Sequence, residues 1–176
     1  GETSEDKLLV NPKEKAIMSL SMKGDSQNVS IVCLKIKNKT EIHENDSVKQ
    51  TLQEAVGISE QYKAHTYENR DNIIFIFAPA KTRTFANQKP AVTLAQSIKS
   101  LLDSYNKMAK QKITYGISLN FGTIIAKLEK NILHFMRMGT LVTAAKKLSG
   151  ISNGEILLTE KIRDKIFKIN EKIKKL

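Results

Sequence analysis

Apolar and polar positions divide the chain into a regular succession of elements. Val29–Ile36 (VSIVCLKI) is an almost unbroken apolar, β-branched run, the pattern of a strand in the middle of a sheet. Asp46-Ser47 then offers a helix N-cap, and Val48, Leu52, Ala55 and Val56 recur at helical spacing, predicting a helix to about Lys63. Two short strands follow, His65–Glu68 and Ile73–Phe77. The turn formers Asn69-Arg70-Asp71-Asn72 between them make a hairpin signal. Pro79 to Pro90 reads as a polar loop rich in Lys and Arg. Beyond it, Leu94, Ile98, Leu101, Leu102, Tyr105 and Met108 share one helical face.

Ile113–Asn120 is the next strand, and Gly122 opens another over Thr123–Leu128. Ile132–Met138 follows across a tight Lys-Asn turn. Gly139 punctuates the start of a third helix through Leu141, Val142, Ala145 and Leu148, before a last strand, Glu155–Leu158. A basic helix is expected from about Thr159. Residues 1–28 are polar, and a short amphipathic piece near Lys13–Met22 reads as an entry helix or linker. Helices alternating with a mainly antiparallel sheet predict an α+β fold with a ferredoxin-like βαββαβ core, extra strands and a C-terminal basic helix.

At 176 residues and 19.8 kDa the chain matches one domain, long enough to bury a core without a metal or disulfide staple. Apolar residues make up 40%, which excludes wholesale disorder. There is no run of about 18 apolar residues, so no membrane span is expected in this segment. The single cysteine, Cys33, cannot form an internal disulfide, which points to reducing cytoplasm. The chain begins at Gly1 without a Met, so a longer natural protein is expected.

The net charge of +11 is concentrated in one half: residues 1–90 carry 13 basic and 12 acidic side chains, residues 91–176 carry 16 and 6. That asymmetry reads either as an electrostatic footprint for an acidic partner or as a solvated face in a Lys-rich chain. No nucleic-acid partner is expected, because the basic half has only Arg137 and Arg163 and few aromatics on which bases could stack.

Familiar catalytic patterns are missing. Gly116 and Gly122 fit neither a dinucleotide-binding nor a P-loop pattern. His43, His65 and His134 lack the close spacing of metal ligands, so no metal centre is assigned to them. Cys33 lies inside an apolar strand with no identifiable base and reads as a buried structural thiol.

An ordered set of segments does point somewhere. They are Tyr115-Gly116-Ile117 through Gly122-Thr123-Ile124-Ile125-Ala126; Phe135-Met136-Arg137-Met138-Gly139 leading to Leu141-Val142 and Ala145 to Leu148; and Gly154-Glu155-Ile156-Leu157-Leu158-Thr159. In order and approximate spacing these resemble the class III nucleotidyl cyclase catalytic domain, whose blocks read GI-six positions-G-x-(V/I)-(V/I)-A, YTVIGDTVNLAARL and GEILIS. In the first half, VSIVCLKIKNKT from Val29 lies over the family's VTVLFADIVGFT strand. NRDNIIFIF from Asn69 lies over its GDG-x-x-A-x-F hairpin. The resemblance spans residues 29–165, leaving 1–28 as linker or entry helix and 166–176 as a basic helical tail.

The resemblance implies ATP or GTP cyclisation by two-metal chemistry. Two aspartates hold the ions, and an Asn and an Arg on the third helix stabilise the transferring phosphorus. It also implies a site completed by dimerisation. This chain departs at those positions. The first aspartate is replaced by Lys35, while the second persists as Asp71 between Arg70 and Asn72 instead of glycines. The Asn becomes Thr143, the Arg Lys147, and the Asp after the family's glycine Thr140. The base-selecting pair falls on Tyr67 and Met136.

An ammonium at Lys35 repels a divalent ion, and one carboxylate cannot build a two-metal clamp. Lys147 keeps charge but loses the planar fork that suits phosphate. Asp71 reads also as a carboxylate chosen for hairpin geometry, and Thr143 and Lys147 as a solvated helix face. If the register holds, Lys35 and Asp71 are close enough to ion-pair.

The expected function is a catalytically inactive cyclase homology domain serving as a regulatory, dimerisation or signalling-assembly module of a larger protein. It would pair as a homodimer or heterodimer through the cyclase-like face or with an unidentified protein, and sit in the cytoplasm or on the cytoplasmic side of a membrane anchor. No cofactor is expected on this reading. Two alternatives stand beside it: a nucleotide-binding sensor without turnover, and an active cyclase or heterodimer half, which alone would need Mg or Mn.

Overall fold

The computed structural model describes residues 7–136 and 141–159. Its strands are β1 (Ala16–Ser19), β2 (Asp25–Ile36), β3 (His65–Asn69), β4 (Asn72–Phe77), β5 (Tyr115–Glu129), β6 (Ile132–Met136) and β7 (Ile156–Leu158). Its helices are α1 (Lys39–Ile42), α2 (Asp46–Gln61), α3 (Pro79–Thr82), α4 (Gln88–Met108) and α5 (Leu141–Ile151). The strands form one sheet in the order β1-β6-β5-β2-β4-β3, with β7 beside β5. Within it, β2-α2-β3-β4-α4-β5 is a βαββαβ unit whose strands lie side by side as β5-β2-β4-β3, all antiparallel. The α+β, ferredoxin-like expectation holds.

The sheet is covered on both sides, which explains the continuous apolar run of β2. Val32, Leu34 and Ile36 of β2, Phe75 and Phe77 of β4, and Ile117 and Leu119 of β5 pack with Val48, Leu52 and Val56 of α2 and Leu94, Ile98 and Leu102 of α4. The alternate residues Val29, Ile31 and Cys33, with Ile74, Ile76, Ile124 and Phe135, meet Val142 and Ala145 of α5. Asn45, one residue before the expected cap, starts α2: its side-chain oxygen accepts from Ser47 N and Val48 N.

Four expectations are corrected. Lys13–Met22 contains no helix; Ala16–Ser19 pairs in parallel with β6. Ala16 is buried, Met18 packs beside it and Ile17 is 43% exposed, so the apolar residues alternate with period two. β2 begins at Asp25, inside the segment read as linker, its polar end pairing with β5 through Asp25–Ala126. β5 runs unbroken through Gly122, which is not a break but a close approach: a Cβ there would sit 2.9 Å from Leu141 Cδ1. Finally, the Pro79–Pro90 loop contains α3 and the start of α4 at Gln88, with Pro90 in the first turn, where its missing N–H costs no hydrogen bond. The ends of the expected Ile132–Met138 strand and the basic C-terminal helix lie outside the described residues.

The lead-in to β1 also touches the opposite edge of the sheet. Lys15 bridges to Thr66 of β3, and Thr66 N donates to Glu14 O at 2.8 Å. His65 is buried at this junction. Its Nε2 donates to the Asn131 carbonyl at 3.2 Å and lies 3.7 Å from a Glu14 carboxylate oxygen, while Lys81 lies 3.5 Å from the other. Burial, the largest influence, lowers the His65 pKa, against the opposing pull of Asn131 and Glu14. The unfolded chain therefore takes up the proton first, and stability falls as pH drops through the ordinary histidine value towards the folded one. The unfolding midpoint should drop between about pH 7.5 and pH 5.5, and a His65→Gln variant should show a smaller drop.

Candidate functional site

Three elements converge at one end of the sheet: the end of β2 with α1, the β3–β4 turn, and the end of α5. Lys35 pairs in register with Asn72 on β4 and Gly116 on β5. Alternation along β2 turns its side chain to the α5 side, the side of Cys33. The turn is tight, with Arg70 in the left-handed region at φ 56°. It is tied to β2 by Ile36 N donating to Asp71 O at 2.7 Å. The Asp71 carboxylate accepts from Asn72 Nδ2 at 3.0 Å through one oxygen, and the other lies 3.6 Å from Lys35 Nζ. The expected Lys35–Asp71 ion pair is present.

α5 closes over this pair. A Cβ at Gly150 would lie 3.8 Å from Lys35 Nζ, so the ammonium rests against the last turn of the helix, where carbonyl ends favour a cation. Lys37 Nζ donates to Ser152 O and, at 3.3 Å, to Asn153 Oδ1. Lys39, almost fully buried, donates to Arg70 O at 2.6 Å. Beneath the pair, Cys33 Sγ contacts Asn72 Oδ1 at 3.6 Å and Ser149 Oγ at 3.4 Å. Burial pushes its thiol pKa up to about 11, as suits a structural thiol.

Between β2's end, α1 and the turn lies a recess of about 300 Å³, lined by Ile36, Lys37, Lys39, Thr40, Arg70 and Asp71. Lys37, Lys39 and Arg70 were not singled out from the sequence. No local pattern marks them: β2 ends at Ile36 before Lys37, Lys39 already belongs to α1, and Arg70 stands in the turn.

The other candidate residues are placed differently. Tyr67 turns its ring onto Phe135, centroids 5.2 Å apart and nearly perpendicular, immediately before the half-buried Met136. Thr143 and Lys147 lie four residues apart on α5, both exposed. Among the described residues neither hydrogen-bonds nor ion-pairs with Lys35 or Asp71. Thr140 lies outside the described residues. Among those described, no group of three or more His, Cys, Asp and Glu side chains could hold a metal ion. No described helix is long and apolar enough to cross a membrane.

This sheet order, with α5 laid along β5 and the β2 end facing the β3–β4 turn, defines the fold of the class III adenylate/guanylate cyclase domains. Solved structures of such domains superpose on it. A dimeric guanylyl cyclase domain of the RhoGC fusion protein from the aquatic fungus Blastocladiella emersonii matches at TM-score 0.67 and 19% identity, over 84% of this chain and 88% of that one. A monomeric form of that domain matches at TM-score 0.65 and 19% identity, over 84% and 90%. The adenylyl cyclase CyaB from P. aeruginosa matches at TM-score 0.62 and 18% identity, over 84% of each chain. No protein-family model and no curated protein matches the sequence.

Among the described residues the divalent ions implied by the resemblance find no fitting donor set at this strand end: Asp71 is the one carboxylate lining the recess, the Lys35 ammonium stands 3.6 Å from it, and Lys37, Lys39 and Arg70 line the recess beside it.

Proposed function

We propose that this chain is a catalytically inactive domain of the cyclase fold, acting as a regulatory, dimerisation or signalling-assembly module of a larger cytoplasmic or membrane-anchored protein, with the cyclase-like region at 29–165. The observation that carries the reading is the Lys35 ammonium paired with Asp71 at 3.6 Å. A two-metal clamp works by surrounding divalent ions with carboxylate oxygens, and a fixed positive charge at one of those positions opposes the ions directly. The substitutions on α5 add to this. Thr143 offers a shorter donor than Asn, and Lys147 a point charge in place of a planar fork. Removing one such transition-state contact costs about 3 kcal/mol, over a hundredfold in rate, before the metal site is counted.

On this reading the partner is a second chain docked on the cyclase-like face, a copy of this one or another protein, and the domain needs no Mg or Mn. The rival assignment, one half of an active heterodimer contributing Asp71, is separated by experiment. Cyclic product from Mn-ATP and Mn-GTP, read by mass spectrometry, is expected to be absent for this chain alone. In a mixture with an active cyclase domain it should not exceed that domain's own output. Extra product that disappears with Asp71→Ala would overturn the reading. The sensor alternative is favoured by one separate observation, the cationic recess.

A further inference from the structure

Phe85, in the loop between α3 and α4, stands 85% exposed, and the loop that carries it is tied down on both sides. Arg83 takes the left-handed conformation at φ 62°, and its N–H donates to Pro79 O at 2.9 Å. The Thr84 carbonyl accepts from Thr82 Oγ1 at 3.3 Å and from Asn87 Nδ2 at 3.1 Å, while Thr84 Oγ1 accepts from Ala86 N at 3.0 Å. These bonds fix the backbone on either side of Phe85, so the fold itself holds the ring out in water.

Charge sets its surroundings. No Asp or Glu occurs between Asp71 and Asp103, whereas Lys81, Arg83, Lys89 and Lys99 do. Lys81 lies 3.5 Å from Glu14, but among the described residues Arg83 and Lys89, both exposed, have no carboxylate partner. The loop follows β4, whose six residues lead about 20 Å away from the turn of Asp71. The ring therefore stands at the far end of the sheet from the recess.

We propose that this loop docks the chain on an anionic lipid bilayer, with Phe85 entering the headgroup–acyl boundary and Arg83 and Lys89 meeting the lipid phosphates and carboxylates. A protruding ring flanked by cations suits a deformable surface that is negative above and apolar below. A protein partner would need a pocket shaped for the ring, and a nucleic acid several aromatics on which to stack. One ring and two cations give weak, reversible attachment, which adds to other contacts instead of anchoring the chain alone. Docking here leaves the Lys35–Asp71 end free, and it does not depend on whether the chain turns over nucleotide.

The test is flotation of the whole chain with phosphatidylcholine vesicles, with and without phosphatidylserine, at low and at physiological salt. Binding is expected only with phosphatidylserine, and weaker at the higher salt. Arg83→Gln and Lys89→Gln should each weaken it about fivefold. Phe85→Ser should weaken it about tenfold and leave the thermal midpoint unchanged, because the ring is exposed. Should Arg83→Gln disturb the left-handed turn, Arg83→Gly suits the positive φ and removes the same charge. Lys110→Gln, the same charge loss beyond the other end of the 21-residue α4 and about 30 Å away, should leave binding unchanged.

Phe85→Trp places a probe in a chain that has no other Trp. Its emission should shift to the blue and lose access to acrylamide on phosphatidylserine vesicles. No binding to those vesicles, binding undiminished in Phe85→Ser, an equal loss with Lys110→Gln, or a Phe85→Trp emission unmoved by the vesicles would overturn the proposal.

Discussion

Gly116→Ala is expected to destabilise the chain by about 3 kcal/mol or more, although it adds one methyl group. A Cβ at Gly116 would stand 1.8 Å from the Ser149 carbonyl oxygen and 2.9 Å from that of Ser152. Both are backbone atoms, so no rotamer change relieves the clash and the end of α5 must lift off β5. Neighbouring bonds go with it: Ser118 Oγ donates to Ala145 O at 2.8 Å, and Ile117 N to Ser152 Oγ at 3.1 Å. So would the contact of Lys35 with Gly150 and the anchoring of Lys37 on Ser152. The same substitution at Gly57 on α2, where nothing lies within 4 Å, should instead stabilise by about 0.5–1 kcal/mol. At roughly 2–4 °C per kcal/mol for a chain of this size, thermal unfolding should move the two midpoints in opposite directions. An unchanged midpoint for Gly116→Ala would show that α5 is not seated on β5 in this way.

The second large effect is at Phe135. Its ring is fully buried, faces Tyr67 edge-on, and packs in the cluster between the sheet and α5. Truncation to alanine removes that burial, breaks the aromatic pair and leaves a cavity, at about 3–5 kcal/mol. The expected signature in denaturant is a lower midpoint with an unchanged slope. Because Tyr67 and Met136 stand at the base-selecting positions that the resemblance assigns, the loss also bears on what they do. Tyr67 is held by an aromatic neighbour in the core. A Phe135→Ala chain with native stability would show that the ring is free for another role.

Much of this architecture was legible in the amino-acid pattern. The β2 run from Val29 to Ile36 is apolar on both alternations because helices cover both faces, and α2 and α4 carry their buried stripes at helical spacing. Asn69-Arg70-Asp71-Asn72 marked a hairpin, and that hairpin brought Asp71 to Lys35. β1 was hidden because AIMSLSM supports either period, and only its pairing with β6 settles which. The continuity of β5 was hidden because Gly122 punctuates a strand and admits a close neighbour with the same residue; the Leu141 side chain decides between them. Lys37, Lys39 and Arg70 carry no motif. Their meaning comes from a turn and a helix end that approach from more than 30 residues away in sequence.

The Lys35 ammonium, 3.6 Å from the Asp71 carboxylate, is expected to keep a divalent ion away from it. Mn²⁺ binding, followed by paramagnetic relaxation of water protons, tests this with the native chain, Lys35→Asp and Asp71→Ala side by side. The native chain should show no specific Mn²⁺ site, and Lys35→Asp, with two carboxylates facing across the strand end and the turn, should gain one. Saturable Mn²⁺ binding by the native chain that Asp71→Ala abolishes would show that Lys35 does not exclude the ion and that Asp71 is a metal ligand.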